Sequence, residues 1–144
     1  MQRLEAAAME ATGSEVHPIR VLLVEDEFFI SEWVAESLLD EGFTVRTVTN
    51  AADALRYLQS APVDVLFTDV NLPGGMDGAT LARRAREMLP DLPVVYASGR
   101  ASMLDPQLRV PGSIFVAKPY VPELVARLLA DTLQAAAERE RVPA

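Results

Sequence analysis

No cysteine occurs in the 144 residues of the chain. That excludes a disulfide scaffold, a thiolate nucleophile, a cysteine-bound zinc and an iron–sulfur cluster. Histidine is nearly as scarce, with His17 the single copy. One imidazole cannot build a histidine-based metal centre, and His17 beside Pro18 reads as a solvated linker residue. No apolar run approaches the roughly 20 residues of a membrane-spanning helix. Residues 1–20 are acidic and alanine-rich, without the basic start and apolar stretch of a secretory signal. Cations are outnumbered: 13 Lys+Arg against 21 Asp+Glu leave a net charge of −8. Such a surface repels nucleic acid and anionic membranes. A soluble, cytoplasmic protein is the expectation.

What is present is globular in kind, with 50% apolar and 24% charged residues, 10 prolines and 7 glycines. A chain of this length buries roughly two-thirds of its unfolded surface as one domain. Met1 to Ala11 reads as a short helix with Leu4, Ala7, Ala8 and Ala11 on one face, broken by Thr12-Gly13-Ser14 and His17-Pro18. Residues 1–18 are therefore expected as a flexible leader, 19–137 as the domain and 138–144 as a tail.

From Arg20 the pattern becomes regular. Val21-Leu22-Leu23-Val24 is a short apolar run, the mark of a strand buried on both faces. A helix is expected from Phe28 to Glu41, with Ile30, Trp33, Val34, Ser37 and Leu38 at helical spacing and Gly42 as its stop. Trp33 is expected in the core. Thr44 to Val48 is more polar and alternating, as an edge strand would be. Asn50 can cap the next helix, whose Ala51, Ala54, Leu55 and Leu58 share a face, and Pro62 ends it. Val63 to Thr68 is a third strand ending at Asp69. A loop with Pro73, Gly74, Gly75 and Gly78 leads to a helix carrying Leu81, Ala85, Met88 and Leu89. Val94 to Ser98 and Ile114 to Ala117 are the fourth and fifth strands, and a last helix runs from Pro122 to about Ala137. Pro106 and Pro111 spoil the helix expected between those strands, so 100–112 should be short, distorted or mobile. Alternation at this spacing argues for an α/β, doubly wound, five-stranded parallel sheet of flavodoxin-like order 2-1-3-4-5.

Polar residues gather just past the strand ends. Glu25, Asp26 and Glu27 follow the first strand, Asp69 ends the third, Ser98 ends the fourth and Lys118 follows the fifth. In this strand order the first and third strands are neighbours, so Glu25, Asp26 and Asp69 cluster at the switch point, with Ser98 and Lys118 on the rim. Three adjacent carboxylates repel one another unless a cation compensates, and oxygen ligands without His or Cys favour Mg²⁺. A dinucleotide site would need a glycine-rich turn where Glu25-Asp26-Glu27 stand, and no G-x-x-x-x-G-K-[ST] occurs.

Glu25-Asp26-Glu27 after Leu-Leu-Val, Asp69-Val-Asn-Leu-Pro-Gly, the hydroxyl of Ala-Ser-Gly and Lys118-Pro-Tyr together resemble the receiver domains of two-component response regulators. The resemblance covers about residues 19–134. The stretches Asn71 to Gly78 and Tyr96 to Gly99 are similar to the subgroup named for its FATGUY motif, whose region after the fourth strand is atypical. The resemblance implies Asp69 as phosphoacceptor. It implies Mg²⁺ held by Asp26, Asp69 and the backbone carbonyl of Asn71, with Glu25 acting through water. Lys118 would pair with one phosphoryl oxygen and the Ser98 hydroxyl with another. Phe115, three residues before Lys118, stands where the family often carries a switch aromatic, or is ordinary packing. Glu27 reads as a carboxylate favourable to the helix dipole, and Tyr120 as a cover for the rim or a partner contact.

The resulting expectation is a stand-alone receiver without room for an output domain, not an enzyme but a phosphoacceptor that assists its own phosphorylation and dephosphorylation. Its donor would be a sensor histidine kinase or a histidine phosphotransfer protein and its target another protein, with no nucleic acid or membrane partner. The chain would be a monomer or weak dimer. Three alternatives remain open: a receiver-shaped interaction module that is never phosphorylated, a receiver fragment of a hybrid histidine kinase, and a metal-dependent phosphatase. The last is disfavoured because its leading Asp would belong to the first strand. The expected switching surface is 100–112 with the fifth strand and the last helix.

Overall fold

The computed structural model of the chain describes residues 17–99 and 105–141, with side chains as far as Gln134. The expected helix over Met1 to Ala11 and the part of the 100–112 stretch that precedes Asp105 lie outside the described residues. Every expected strand is present: β1 (Arg20–Val24), β2 (Thr44–Val48), β3 (Val65–Asp69), β4 (Val94–Ser98) and β5 (Ile114–Ala117). They form one parallel sheet in the order β2-β1-β3-β4-β5. Among the described residues four α-helices accompany it: α1 (Phe28–Asp40), α2 (Ala51–Ser60), α3 (Gly78–Met88) and α4 (Pro122–Arg141). The last of these runs beyond the expected Ala137.

Side chains alternate across the pleat, and both faces of the sheet are covered. Leu22, Val24, Leu66, Val94 and Tyr96 share one apolar cluster with Ala54 and Leu58 of α2 and Leu81 and Ala85 of α3. Val21, Leu23, Val65, Phe67 and Val95 share the other with Val34 and Leu38 of α1 and Val125 and Leu129 of α4. All of β3 and β4 is buried, whereas β2 is mostly exposed, as an edge strand must be. At roughly 1.5–3 kcal/mol for each large apolar side chain, the central strands carry most of the stability.

Capping sets the helix starts. The Asn50 side chain accepts a hydrogen bond from the Asp53 N–H, and the Asp77 side chain accepts one from the Thr80 N–H. Gly42, at φ +97°, reverses the chain after α1. The expected burial of Trp33 is wrong. Its side chain is 56% exposed, with Phe28 and Phe29 more open still. The buried stripe of α1 is Ser31, Val34, Ser37 and Leu38, and Trp33 lies about 100° round the helix from Val34. The apolar pattern of this helix is wider than the face it buries. Between β4 and β5 the described residues, from Asp105 on, make one 3₁₀ turn, Pro106–Leu108, in keeping with the prolines there.

The start of β1 is tied to the approach to β3. The Arg20 backbone N–H and guanidinium both donate to Asp64, at 2.8 and 2.9 Å, and the Asp64 N–H donates to the Arg20 carbonyl. Exposed His17 sits within hydrogen-bond distance of the same guanidinium. Burial alone would raise the Asp64 carboxyl, but the bonds from Arg20 outweigh it and hold it below its ordinary value. A depressed carboxyl stabilises the fold above the ordinary carboxylate range, near pH 4, and loses that contribution as pH falls through the lower folded value. Asp64→Asn should therefore cost about 1 kcal/mol at pH 7, and urea titrations should show that gap closing at strongly acidic pH.

Candidate functional site

The parallel sheet places the carboxyl ends of β1, β3, β4 and β5 along one rim. Backbone hydrogen bonds stitch that rim together. The Val70 N–H donates to Ala97 O at 2.9 Å, the Lys118 N–H to Ser98 O at 2.8 Å, and the Glu25 N–H to Val48 O at 3.1 Å. Gly78 starts α3 against the far side of the Asp69–Val70 peptide, with its N–H donating to Val70 O at 2.7 Å. The Thr68 hydroxyl donates to Asp69 O at 2.9 Å. The end of β3 at Asp69–Val70 is thus bonded to Thr68, to β4 and to the start of α3.

Glu25, Asp26 and Asp69 converge, with carboxylate oxygens within 4.8 Å of one another. Glu25 and Asp69 are buried, and Asp26 is open to solvent. Lys118 reaches across from the other end of the sheet. Its Nζ donates to Glu25 Oε1 at 2.9 Å and to Asp69 Oδ2 at 3.1 Å. Burial, and then the neighbouring charges of Glu25 and Asp26, raise the Asp69 carboxyl above its ordinary value despite Lys118. Burial works against the Lys118 ammonium, but its bonds and charge interactions with Glu25 and Asp69 prevail and raise it. Lys118 therefore stays charged at neutral pH. Three carboxylates set against one ammonium leave net negative charge, and the donors are all hard oxygens. That set fits Mg²⁺.

Other expected residues take varied places. Ser98 is fully buried at the end of β4, beside the Lys118 backbone. Asn71 lies exposed in the loop after Val70. Phe115 is half-buried on the α2–α3 side, with the Arg109 guanidinium 4.6 Å from its ring centre. Tyr120 packs on Phe67, ring centres 5.8 Å apart, and burial pushes its phenol up to about 12, so it remains neutral beside the acidic cluster. With Ile30, Trp33, Val34, Gly99, Lys118 and Pro119 it lines an apolar cleft of about 430 Å³. Glu27 is not in the first turn of α1. It occupies the capping position without a side-chain cap bond, and its N–H donates instead to Glu25 Oε2 at 3.0 Å. Glu25 thus serves the helix N-terminus as well as the cluster.

The chain matches the profile of the response regulator receiver domain over residues 21–129. It belongs to that family. The receiver is 37% identical over 103 residues to the response regulator receiver protein CpdR of Brucella abortus (strain 2308), which covers 70% of this chain and 85% of that protein. It is 36% identical over 117 residues to the transcriptional regulatory protein TrcR of Mycobacterium tuberculosis, covering 77% of this chain and 44% of the regulator. The receiver thus spans about half the length of that kind of relative. Among solved structures, a response regulator receiver protein from Sinorhizobium medicae WSM419 superposes with a TM-score of 0.78 at 32% identity, over 83% of this chain and 97% of the other. A CheY-like receiver domain from Methanospirillum hungatei JF-1, 20% identical, shares the fold with a TM-score of 0.77, over 85% of this chain and 98% of the other. No helix among the described residues of this receiver is long and apolar enough to cross a membrane.

Gly78 is the site residue that the sequence reading passed over, naming it only as one of several loop glycines. A Cβ there would lie 2.1 Å from Asp69 O and 2.9 Å from Val70 Cα. Backbone cannot yield as a flexible side chain does, so helix and strand end must separate. Gly78→Ala should cost roughly 2 kcal/mol or more in chemical denaturation. Amide shifts should move at Asp69 and Val70, while β2 stays in place.

Proposed function

We propose that this receiver accepts a phosphoryl group on Asp69 and signals through contacts with another protein. The observation that carries this reading is the Lys118 ammonium, bonded at once to Glu25 and Asp69, with Asp26 open beside them. A structural salt bridge needs one partner of each sign, and a third, exposed carboxylate in the same cluster only adds repulsion. As a site for phosphoryl transfer the same set is coherent, because it pairs a nucleophilic oxygen with a fixed cation and room for a metal.

One Asp69 carboxylate oxygen would attack the phosphorus of a phosphohistidine. The O–P bond forms as the N–P bond breaks, and the imidazole leaves with a proton in place of the phosphoryl group. Lys118 would exchange Asp69 for a phosphoryl oxygen, keeping Glu25 as its anchor. Ser98 would turn its hydroxyl to a second phosphoryl oxygen. Asp26, Asp69 and the Asn71 carbonyl would hold Mg²⁺, with Glu25 reaching it through water. When bound, that ion supplies charge neutralisation at the phosphoryl oxygens. The donor on this reading is a histidine kinase or a histidine phosphotransfer protein of the cytoplasm. The domain itself is an acceptor that assists its own modification rather than an enzyme turning over a separate substrate.

Incubation with Mg²⁺ and phosphoramidate, read by intact mass, should add one phosphoryl group to the wild type and none to Asp69→Asn. Equal addition to both would move the acceptor elsewhere. Because burial and like charges raise the Asp69 carboxyl, its ionisation costs the fold stability as pH rises through that raised value. Asp69→Asn should therefore unfold at or above the wild-type temperature at pH 7. Mg²⁺ binding only the folded state should raise the melting temperature of the wild type by mass action. Asp26→Ala should lose most of that gain and Glu27→Ala should keep it. If both variants keep it in full, the ligand set is misassigned.

A further inference from the structure

We propose that the open edge of β2 receives an extended, acidic segment of a partner protein as an added strand, with Arg46 pairing with a carboxylate of that segment. This edge lies at the opposite end of the sheet from β5, and its binding does not depend on the acceptor reading above.

Among the described residues β2 pairs with β1 alone, so one side of its backbone is open. The Thr44 N–H donates to Ile19 O, and the Val48 carbonyl accepts from the Glu25 N–H. In a parallel ladder the N–H and C=O of one residue point to the same side, and the side alternates along the strand. Thr44, Arg46 and Val48 therefore serve β1, while the N–H and C=O groups of Val45 and Thr47 point outward. Such an edge is a template for an added strand. Proline or a bulge commonly blunts it. β2 contains no proline, and its pairing with β1 runs unbroken from Thr44 to Val48.

Side chains along the edge select the occupant. Arg46 is exposed, with its guanidinium 5.1 Å from the centre of the Tyr57 ring on α2. Among the described residues no carboxylate pairs with it. Asp53, the carboxylate nearby on α2, is taken by Arg56 and by the Asn50 amide. Two clefts, of about 860 and 300 Å³, meet at Arg46 and Tyr57 and together follow β2 from Thr44 to Thr49. So long a trough fits an extended chain, not a compact ion. An added strand would set alternate side chains beside Arg46 on the α2 side, and the others beside half-buried Val45 on the α1 side. Carboxylates suit the first face and β-branched apolar residues the second. A second copy of this chain is the poorer occupant. In the antiparallel register that uses the whole of β2, Arg46 faces its own counterpart, and like charges directly opposite resist pairing.

The probe is the blocked peptide acetyl-Glu-Val-Glu-Val-Glu-Val-amide, with Lys in place of Glu in the control. Residue-resolved NMR of the full chain reads the edge. In the protein alone the Val45 and Thr47 amides should exchange freely. With about 1 mM of the Glu peptide they should shift downfield saturably and slow about threefold or more, while Leu22 and Leu66 keep their rates. Arg46→Glu should weaken the Glu peptide about tenfold or more and favour the Lys peptide. Thr47→Pro removes an outward N–H that β1 does not use, so it should fold and lose the peptide. If that variant does not fold, Arg46→Glu decides. Asp69→Asn should bind the peptide as the wild type does. Protection of Val45 and Thr47 without peptide overturns the proposal, because the edge is then already occupied. Equal binding of the two peptides overturns the acidic preference. Equal shifts at Val45 and Thr47 with citrate would mark an anion site and overturn strand addition. A dimer that protects the same two amides would give the edge to a second copy and overturn the partner.

Discussion

Three carboxylates gathered at the ends of two neighbouring strands would drive those strand ends apart if nothing opposed them. Lys118 opposes them, with one ammonium bonded to the two that are buried. The partners lie 93 and 49 residues from it along the chain, so the contact exists only because the strand order brings β5 round to face β1 and β3 across the rim. Much of the architecture serves that one meeting. The apolar central strands hold the rim in register, and the backbone bond from Lys118 to Ser98 fixes the far side. Gly78 lets α3 close against the peptide of Asp69 with no side chain between them. Compensation is incomplete. A site with residual negative charge and hard oxygen donors is chemically suited to a small divalent cation.

Packing is distributed unevenly along the sheet. The interior of β1, β3 and β4 is closed on both faces, and cores of that kind shift only in discrete steps. The described chain between β4 and β5 is built otherwise. Its described 3₁₀ turn is exposed, and its contacts include the Tyr96 hydroxyl and the Phe115 ring on the sheet and the Arg86 side chain from α3. Exposed turns of this kind belong to the less firmly packed parts of a fold.

The fold was legible because its signals are local. Short apolar runs marked the buried strands, the polar alternation of Thr44–Val48 marked an edge, and Asn50 announced a helix start by chemistry that needs no distant partner. The acidic cluster was legible for a related reason: in a parallel sheet the residue after each strand is delivered to the same rim, so sequence position translates into spatial position. Trp33 marks where this failed. Helical periodicity shows that a residue is apolar and on a given side, and cannot show how wide a face the neighbouring layer covers. Gly78 failed differently. A glycine in a loop suggests a turn, whereas its actual constraint is the approach of a backbone nine residues away along the chain.

The sequence by itself determined the order of strands and helices, the residue types available at each strand end, and the exclusion of thiol and histidine chemistry. Those follow from composition and from periods of two and 3.6, which are properties of a chain read in one dimension. Tertiary structure alone decided which oxygen of which carboxylate Lys118 holds, and that Glu25 rather than Glu27 serves the start of α1. It also decided that a buried tyrosine hydroxyl, fourteen residues from Val110, supplies the bond for that amide. Each of these depends on a distance between groups far apart in the chain. Such distances are set by how the layers pack, and no local pattern encodes them.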